Sequence, residues 1–272
     1  MDPVTIAGTG LAVWGSKDLM TKLLGPTADY IGGEAKNFVA KCNINLDNIF
    51  RKATEKLNDR LETEGSVNPR VLKHIVDEGR FCEDDLTSEY YGGILASSRS
   101  GNGRDDRGVT LLATIKDLSV YQLRFHYIFY SIINNIYNGE KVNLGDLNEC
   151  KKLKVFIPFR VYAKAMAFSA DENADNILSH SLFGLEKHSL ITGFSSGGAE
   201  FLQKRTPQIP EDGIIASPTL PGAELFLWAV GLSGASGREL LEVQITGGIE
   251  DLVIEEGPVS IEKLKAIPVK SS

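Results

Sequence analysis

The chain is poor in the residues that build metal and disulfide scaffolds. Its three cysteines, Cys42, Cys82 and Cys150, lie far apart and form no CxxC pair, which disfavours a zinc ribbon or a disulfide framework and fits a reducing, cytoplasmic setting. The four histidines, His74, His126, His180 and His188, show no metal-ligand spacing. Cations are in deficit: 29 Lys and Arg against 36 Asp and Glu leave a net charge of -7, so the surface as a whole is not built to neutralise phosphates, although a local basic patch remains compatible. There is no internal repeat. The N-terminus lacks the basic region of a signal peptide. No apolar run reaches the roughly 20 residues that span a bilayer. Val4–Ser16 is too short, and Tyr121–Tyr137 carries Arg124, His126, Asn134 and Asn135, as a core helix would.

What is present is a helical pattern with 42% hydrophobic residues, ample for the core of a soluble globular protein. Met20, Leu24, Ala28, Ile31, Ala35, Phe38 and Cys42 step by three or four, with Gly25-Pro26 interrupting. A second stripe runs through Leu46, Ile49, Phe50, Ala53, Leu57 and Leu61, backed by a charged, solvated face. Asn68-Pro69 supplies an N-cap and a proline at the first helical position. The most distinctive stretch follows, FCEDDLTSEYYGGILASS over 81 to 98. Its acids, Glu83, Asp84 and Asp85, sit where a helix start favours negative charge, and Leu86, Tyr90 and Ile94 follow at i, i+4. Gly92-Gly93 breaks the rule. Each mid-helix glycine costs about 1 kcal/mol against alanine, so the pair predicts a neighbouring backbone packed close, with a bent helix as the alternative.

Residues 99 to 108, RSGNGRDDRG, form a glycine-rich loop. Arg99, Arg104 and Arg107 make it the candidate contact for an anionic ligand or a partner, against the plainer reading of a connector whose charges cancel. Val109 to Leu118 reads as a short helix. Ser119 with Gln122 forms a capping box for an almost wholly apolar helix over 120 to 137, expected at the centre of the protein. VFIPF at 155 to 159 is strand-like, and 160 to 168 helical. Ser169 with Glu172 predicts a second box opening a helix to about Lys187. SLITGFS (189–195) and GIIAS (213–217) read as strands joined by a long loop, and Thr219 caps a further helix. Helix, strand, helix, helix, strand, strand is the order of a winged helix.

The expected class is therefore mainly α with a small β component. Residues 1–118 form an N-terminal helical bundle, 119–235 a winged-helix-like module, and 236–272 a β-rich tail with a hairpin turning at Gly247-Gly248.

Motifs that suggest chemistry each fail a physical requirement. Gly193-Phe194-Ser195-Ser196-Gly197 spells the nucleophile elbow, but no histidine follows His188 to serve as its base. Gly10 to Lys17 resembles a phosphate-binding loop with its last two residues exchanged, which displaces both the lysine and the hydroxyl. Asp171, Asn173 and Asp175 match the start of a calcium loop, yet Asn176 stands where glycine is needed and Leu182 where a glutamate is needed. No catalytic, cofactor-binding or metal-ligating residue is expected, and the sequence leaves open only an enzyme assembled from scattered groups. The prospective recognition helix, 174 to 187, offers Lys187 as its single basic residue beside Asp175 and Glu186, so the module is expected to contact protein more than DNA.

Several segments, in this order, are similar to the Abi-alpha (abortive infection alpha) family of bacterial proteins. They are KLLGPTADYIG (22–32), NPRVLKHIVDEG (68–79), CEDDLTSEYYGGILASS (82–98), VFIPF (155–159), ILSHSLFGLEKHSLI (177–191) and SPTLPGAELFL (217–227). The resemblance covers roughly residues 17 to 232 and carries no active-site motif. It implies a cytoplasmic antiphage defence component that works through a protein partner or a homo-oligomer. The alternatives are a winged-helix DNA-binding regulator and an effector that contacts membranes through residues 1–16.

Overall fold

The computed structural model describes residues 22, 44–82, 84–232, 236–245 and 252–266. The apolar stripe from Met20 to Cys42, the loop at 10 to 17, the 1–16 segment, Glu83 and the turn at Gly247-Gly248 lie outside them. The chain is mainly helical (58%) with a small sheet component (11%), the class its periodicity predicts. None of the helices among the described residues is long and apolar enough to cross a membrane. Two compact units form: residues 1–117 with 228–234, and 118–227 with 235–272.

In the first unit, α1 (Ile44–Leu57) is followed by β1 (Ser66–Val67), α2 (Pro69–Gly79), α3 (Asp85–Ser97), β2 (Arg99–Ser100) and α4 (Gly108–Asp117). Local chemistry sets the boundaries. The Asn68 side chain accepts the Arg70 N–H with Pro69 at the first position, and the Asp84 carboxylate accepts the Thr87 N–H. β1 and β2 pair antiparallel, Ser66 opposite Ser100. The core is Leu46, Ile49, Ala53, Val71, Ile75, Tyr90, Ile94 and Leu95.

α3 is buried nearly all round, and α1 packs along it. Gly92 and Gly93 explain how. A Cβ on Gly93 would lie 1.7 Å from the Ala229 carbonyl oxygen, and one on Gly92 would lie 2.9 Å from the Ile49 carbonyl oxygen and 2.8 Å from the Lys52 Cβ. Both glycines are close-approach sites for backbone, which is the packing reading of the pair. The Ser97 hydroxyl adds a bond to the Trp228 carbonyl at 3.0 Å.

The second unit contains α5 (Val120–Tyr137), α6 (Leu147–Cys150), β3 (Val155–Pro158), α7 (Phe159–Met166), α8 (Ala174–Lys187), β4 (Ile191–Gly197), α9 (Ala199–Gln203), β5 (Gly213–Pro218), α10 (Leu220–Ala229, whose last two residues belong to the first unit), β6 (Val259–Ser260) and α11 (Ile261–Lys265). Its sheet is antiparallel in the order β4-β5-β3-β6. The capping box Ser119/Gln122 starts α5 as expected. Buried Leu123, Phe125, Ile128, Phe129, Tyr130 and Ile133 make α5 the spine of this unit.

The polar groups on α5 each fasten it to a backbone carbonyl, which is how they are tolerated in a core. Arg124 donates to Ala165, His126 Nε2 to Gly222 and Asn134 to Leu240. The bond to a carbonyl fixes the proton of His126 on Nε2. Burial drives the pKa of this imidazole down to about 3.

Three expectations are corrected. Glu172 accepts the Ser169 N–H, but α8 begins at Ala174 under the cap of Asn173, because the 169–172 turn closes on itself. The connection between β4 and β5 carries the short helix α9. Residues 240–245 form turns where a strand was expected, and their carbonyls at 240 and 243 receive the Asn134 amide.

Alanine at position 93 should destabilise the protein by roughly 3 kcal/mol, since the displaced carbonyl outweighs the ~1 kcal/mol gain in helix propensity. Alanine at 92 should cost less, because the Lys52 stem can shift. Chemical denaturation of both variants checks this, and a stabilised Gly93→Ala protein would refute the close-approach account.

Candidate protein interface

The arginine loop is held by internal bonds. Arg99 donates to the carbonyls of Lys22 (3.0 Å), Arg60 (2.9 Å) and Thr63 (2.5 Å). Arg107 forms a two-pronged pair with Asp105 at 3.0 and 2.7 Å and lies 5.2 Å over the Trp228 ring. Arg70 pairs with Asp106, and the Asn68 amide donates to the Gly103 carbonyl. Of the three arginines, Arg104 alone is exposed with no side-chain partner among the described residues. The loop thus presents one unpaired guanidinium where the sequence counts three.

The acids of the 81–98 stretch divide by role. Asp84 caps α3, whereas Asp85 and Glu89 receive a buried lysine. Lys52 Nζ lies 3.0 Å from Asp85 and 2.5 Å from Glu89, and Lys56 Nζ lies 2.6 Å from Glu89. The Lys52 side chain is 5% exposed, and the missing Cβ of Gly92 accommodates its stem. Burial pushes the Glu89 carboxyl up, but Lys56 and Lys52 more than offset this and hold it below the usual glutamate range. This is a structural ion-pair knot, with every one of its charges paired.

Other candidates resolve the same way. Ser195 lies within β4 opposite Ile215, in a strand and not at an elbow. Asn173 of the calcium-like run is a helix cap. Among the described residues no group of three His, Cys, Asp or Glu is close enough to hold a metal. A cavity of about 440 Å³ lies between Ile132 and Ile136 of α5 and the 254–258 segment, and its Glu255 carboxylate is engaged by Lys164.

The outer face of α8 is different. Leu178, Ser181, Leu182 and Leu185 bury its inner stripe. Phe183, one residue after Leu182 and so about 100° round the helix, points outward and is 65% exposed. It meets the half-buried Phe194 of β4 edge to face, ring centroids 5.1 Å apart. Exposed Asp175, Ser179, His180, Glu186 and Lys187 share the outer surface of the helix. The His180 ring is held 2.9 Å from the Ser119 hydroxyl, and Glu186 accepts the Gly193 N–H, which joins the end of α8 to β4.

Sequence reasoning identified the sparse charge of this helix and missed its aromatic pair. The available signal was Phe183 itself, an apolar residue out of phase with the stripe at 178, 182 and 185. Compared with protein-family models, curated proteins and solved structures, the chain matches none.

The ion-pair knot predicts a pH dependence. A carboxyl whose folded pKa is depressed contributes stability above its unfolded pKa, near 4.5 for Glu89, and loses it as pH falls through the lower folded value. His126, depressed from 6.5 to about 3, also destabilises the fold as pH drops below 6.5. Urea midpoints should fall from pH 7 to pH 3, and Glu89→Gln should flatten the part below about pH 4.5. An unchanged slope in that variant would remove Glu89 from the account.

Proposed function

We propose that the chain is a cytoplasmic, bacterial antiphage defence component of the Abi-alpha kind, acting through protein contacts and not through catalysis. Its N-terminal unit serves as a helical bundle, and residues 119–235 serve as a winged-helix-like module whose recognition-helix position is used to bind protein. Two features support the module. With the short helices α6 and α9 set aside, the chain order α5, β3, α7, α8, β4, β5 is that of a winged helix, and the pairing order β4-β5-β3 suits it.

The observation that carries the reading is the outer face of α8. A groove-reading helix needs cations for phosphates and guanines, whereas this one offers Phe183 against Phe194 and a single lysine beside Asp175 and Glu186. Exposed aromatics centred in a weakly charged surface are the usual anchors of protein interfaces. With net charge -7 on the chain and an acidic balance on this face, the complementary partner surface is an apolar pocket ringed by lysine or arginine.

Phe183→Asp places a charge at the centre of that contact without touching the core. Cells expressing the protein from its native locus should restrict at least one phage in a broad panel, and Phe183→Asp should abolish restriction while leaving thermal stability nearly unchanged. Light scattering on the purified protein distinguishes a second copy of the chain from another partner. Full restriction by the Phe183→Asp protein would refute the α8 contact, and no restriction by the unaltered protein would refute the defence role.

A further inference from the structure

A group of cations in the second unit has no partner among the described residues and no assigned task. Phe156 of β3, Leu202 of α9, Ile209, Ile215 of β5, and Ile261 and Leu264 of α11 pack into one buried cluster, with Val259 against it. Four cations stand at its margins. Lys154 precedes β3, two residues before Phe156, and its carbonyl accepts the Ile261 N–H at 2.9 Å, which sets the start of α11 beside it. Lys151 belongs to the 3-10 turn 151–153 that leads into Lys154. Arg205 follows α9, three residues beyond Leu202, and its N–H bonds to the Leu202 carbonyl at 3.1 Å. Lys265 adjoins Leu264. The buried cluster therefore brings three separate pieces of chain, 151–154, the end of α9 and α11, and their four cations together.

Lys151, Arg205 and Lys265 are exposed and Lys154 is half-buried. None of the four side chains has a hydrogen-bond or ion-pair partner among the described residues. Several other cations of the protein find acids, Lys52, Lys56, Arg70, Lys116, Arg160 and Lys164 among them, and so does the adjacent Lys152, which pairs with Glu149. The carboxylate of Glu262, on α11, acts on Lys152 and forms no ion pair with any of the four. Burial, and then the charges of Lys265, Arg205 and Lys151, push the Lys154 pKa down, so the cations repel one another across this surface. Like charges converging on a half-buried lysine destabilise the free protein and are relieved by a bound polyanion. That they persist in a chain of net charge -7 makes a counter-charged ligand the economical explanation.

We propose that Lys151, Lys154, Arg205 and Lys265 form a binding site for a ligand carrying adjacent phosphate groups. Three cations from three segments around Lys154 match a compact, multiply charged group, with lysine ammoniums as point charges and Arg205 able to bind two oxygens at once. Such phosphates occur in an oligophosphate chain of a small molecule and along a nucleic-acid strand, and the two sources share this chemistry. The site does not depend on the α8 contact: no residue is common to both.

The test uses the full chain and two probes, inorganic tripolyphosphate by calorimetry and a short fluorescent DNA duplex by anisotropy, each at low and physiological salt. The double variant Arg205→Glu/Lys265→Glu, altered only at exposed positions, should weaken binding by roughly tenfold or more and lower the log–log salt slope for the duplex by about two. Lys141→Glu, an equally exposed cation outside the cluster, should bind as the unaltered protein does, which separates the site from net charge. Lys154→Gln should weaken binding with circular dichroism unchanged. Tripolyphosphate binding alone assigns a small-molecule source, and duplex binding with the same variant dependence assigns a strand. Binding of neither probe, or equal binding by the double variant and the unaltered protein, overturns the proposal.

Discussion

The first unit depends on one constraint: α3 must bring its backbone into contact with its neighbours on two sides. Gly93 lies against the Ala229 carbonyl, and Gly92 lies against the Ile49 carbonyl and the stem of Lys52. Glycine is the residue that permits this, at the expense of helix propensity, and the loss is offset by burial of Tyr90, Ile94 and Leu95. The same approach explains the charge pattern. With α1 pressed onto α3, Lys52 is enclosed, and Asp85 and Glu89 stand where its ammonium needs them. Breaking such a buried pair one-sidedly is costly even where the pair adds little net stability, so the knot fixes register more than it adds strength.

The second unit solves a similar problem with hydrogen bonds. Its spine, α5, is apolar on nearly every face and could pack in several ways. Arg124, His126, Tyr130, Asn134 and Tyr137 each bond to a backbone carbonyl of another segment, so that a generic apolar helix acquires a specific position. Three of the four residues that argued against a membrane span in the sequence, Arg124, His126 and Asn134, are thus fastenings of the core, while Asn135 is exposed.

Much of the fold was legible because its signals are local. The Asn68-Pro69 start, the Ser119/Gln122 box, the Thr219 cap and the strands at 155, 191 and 213 follow from the chemistry of a few neighbouring residues. The Gly92-Gly93 pair announced a close approach but not its partner, since Ala229 is far away in sequence. Ser169/Glu172 misled because a capping pair can close an isolated turn as well as open a helix. The candidate site was harder to see. Arg99 is bonded to carbonyls that only folding brings near, while Arg107 pairs with Asp105 two residues away, as in a connector whose charges cancel; Phe183 and the Lys154 group gain their meaning from what folding leaves without a partner. Pairing and exposure are tertiary properties, and single-sequence patterns carry them weakly.

On this account the chain presents an aromatic protein-contact face on α8, held to β4 through Phe194 and Glu186. The most direct measurement is site-specific photocrosslinking in phage-challenged cells, with a photoreactive phenylalanine analogue at position 183 and, as control, at position 141. The account predicts one discrete adduct from position 183 that disappears together with phage restriction when Glu186 is changed to Arg. No adduct at 183, or the same adduct from position 141, would contradict it.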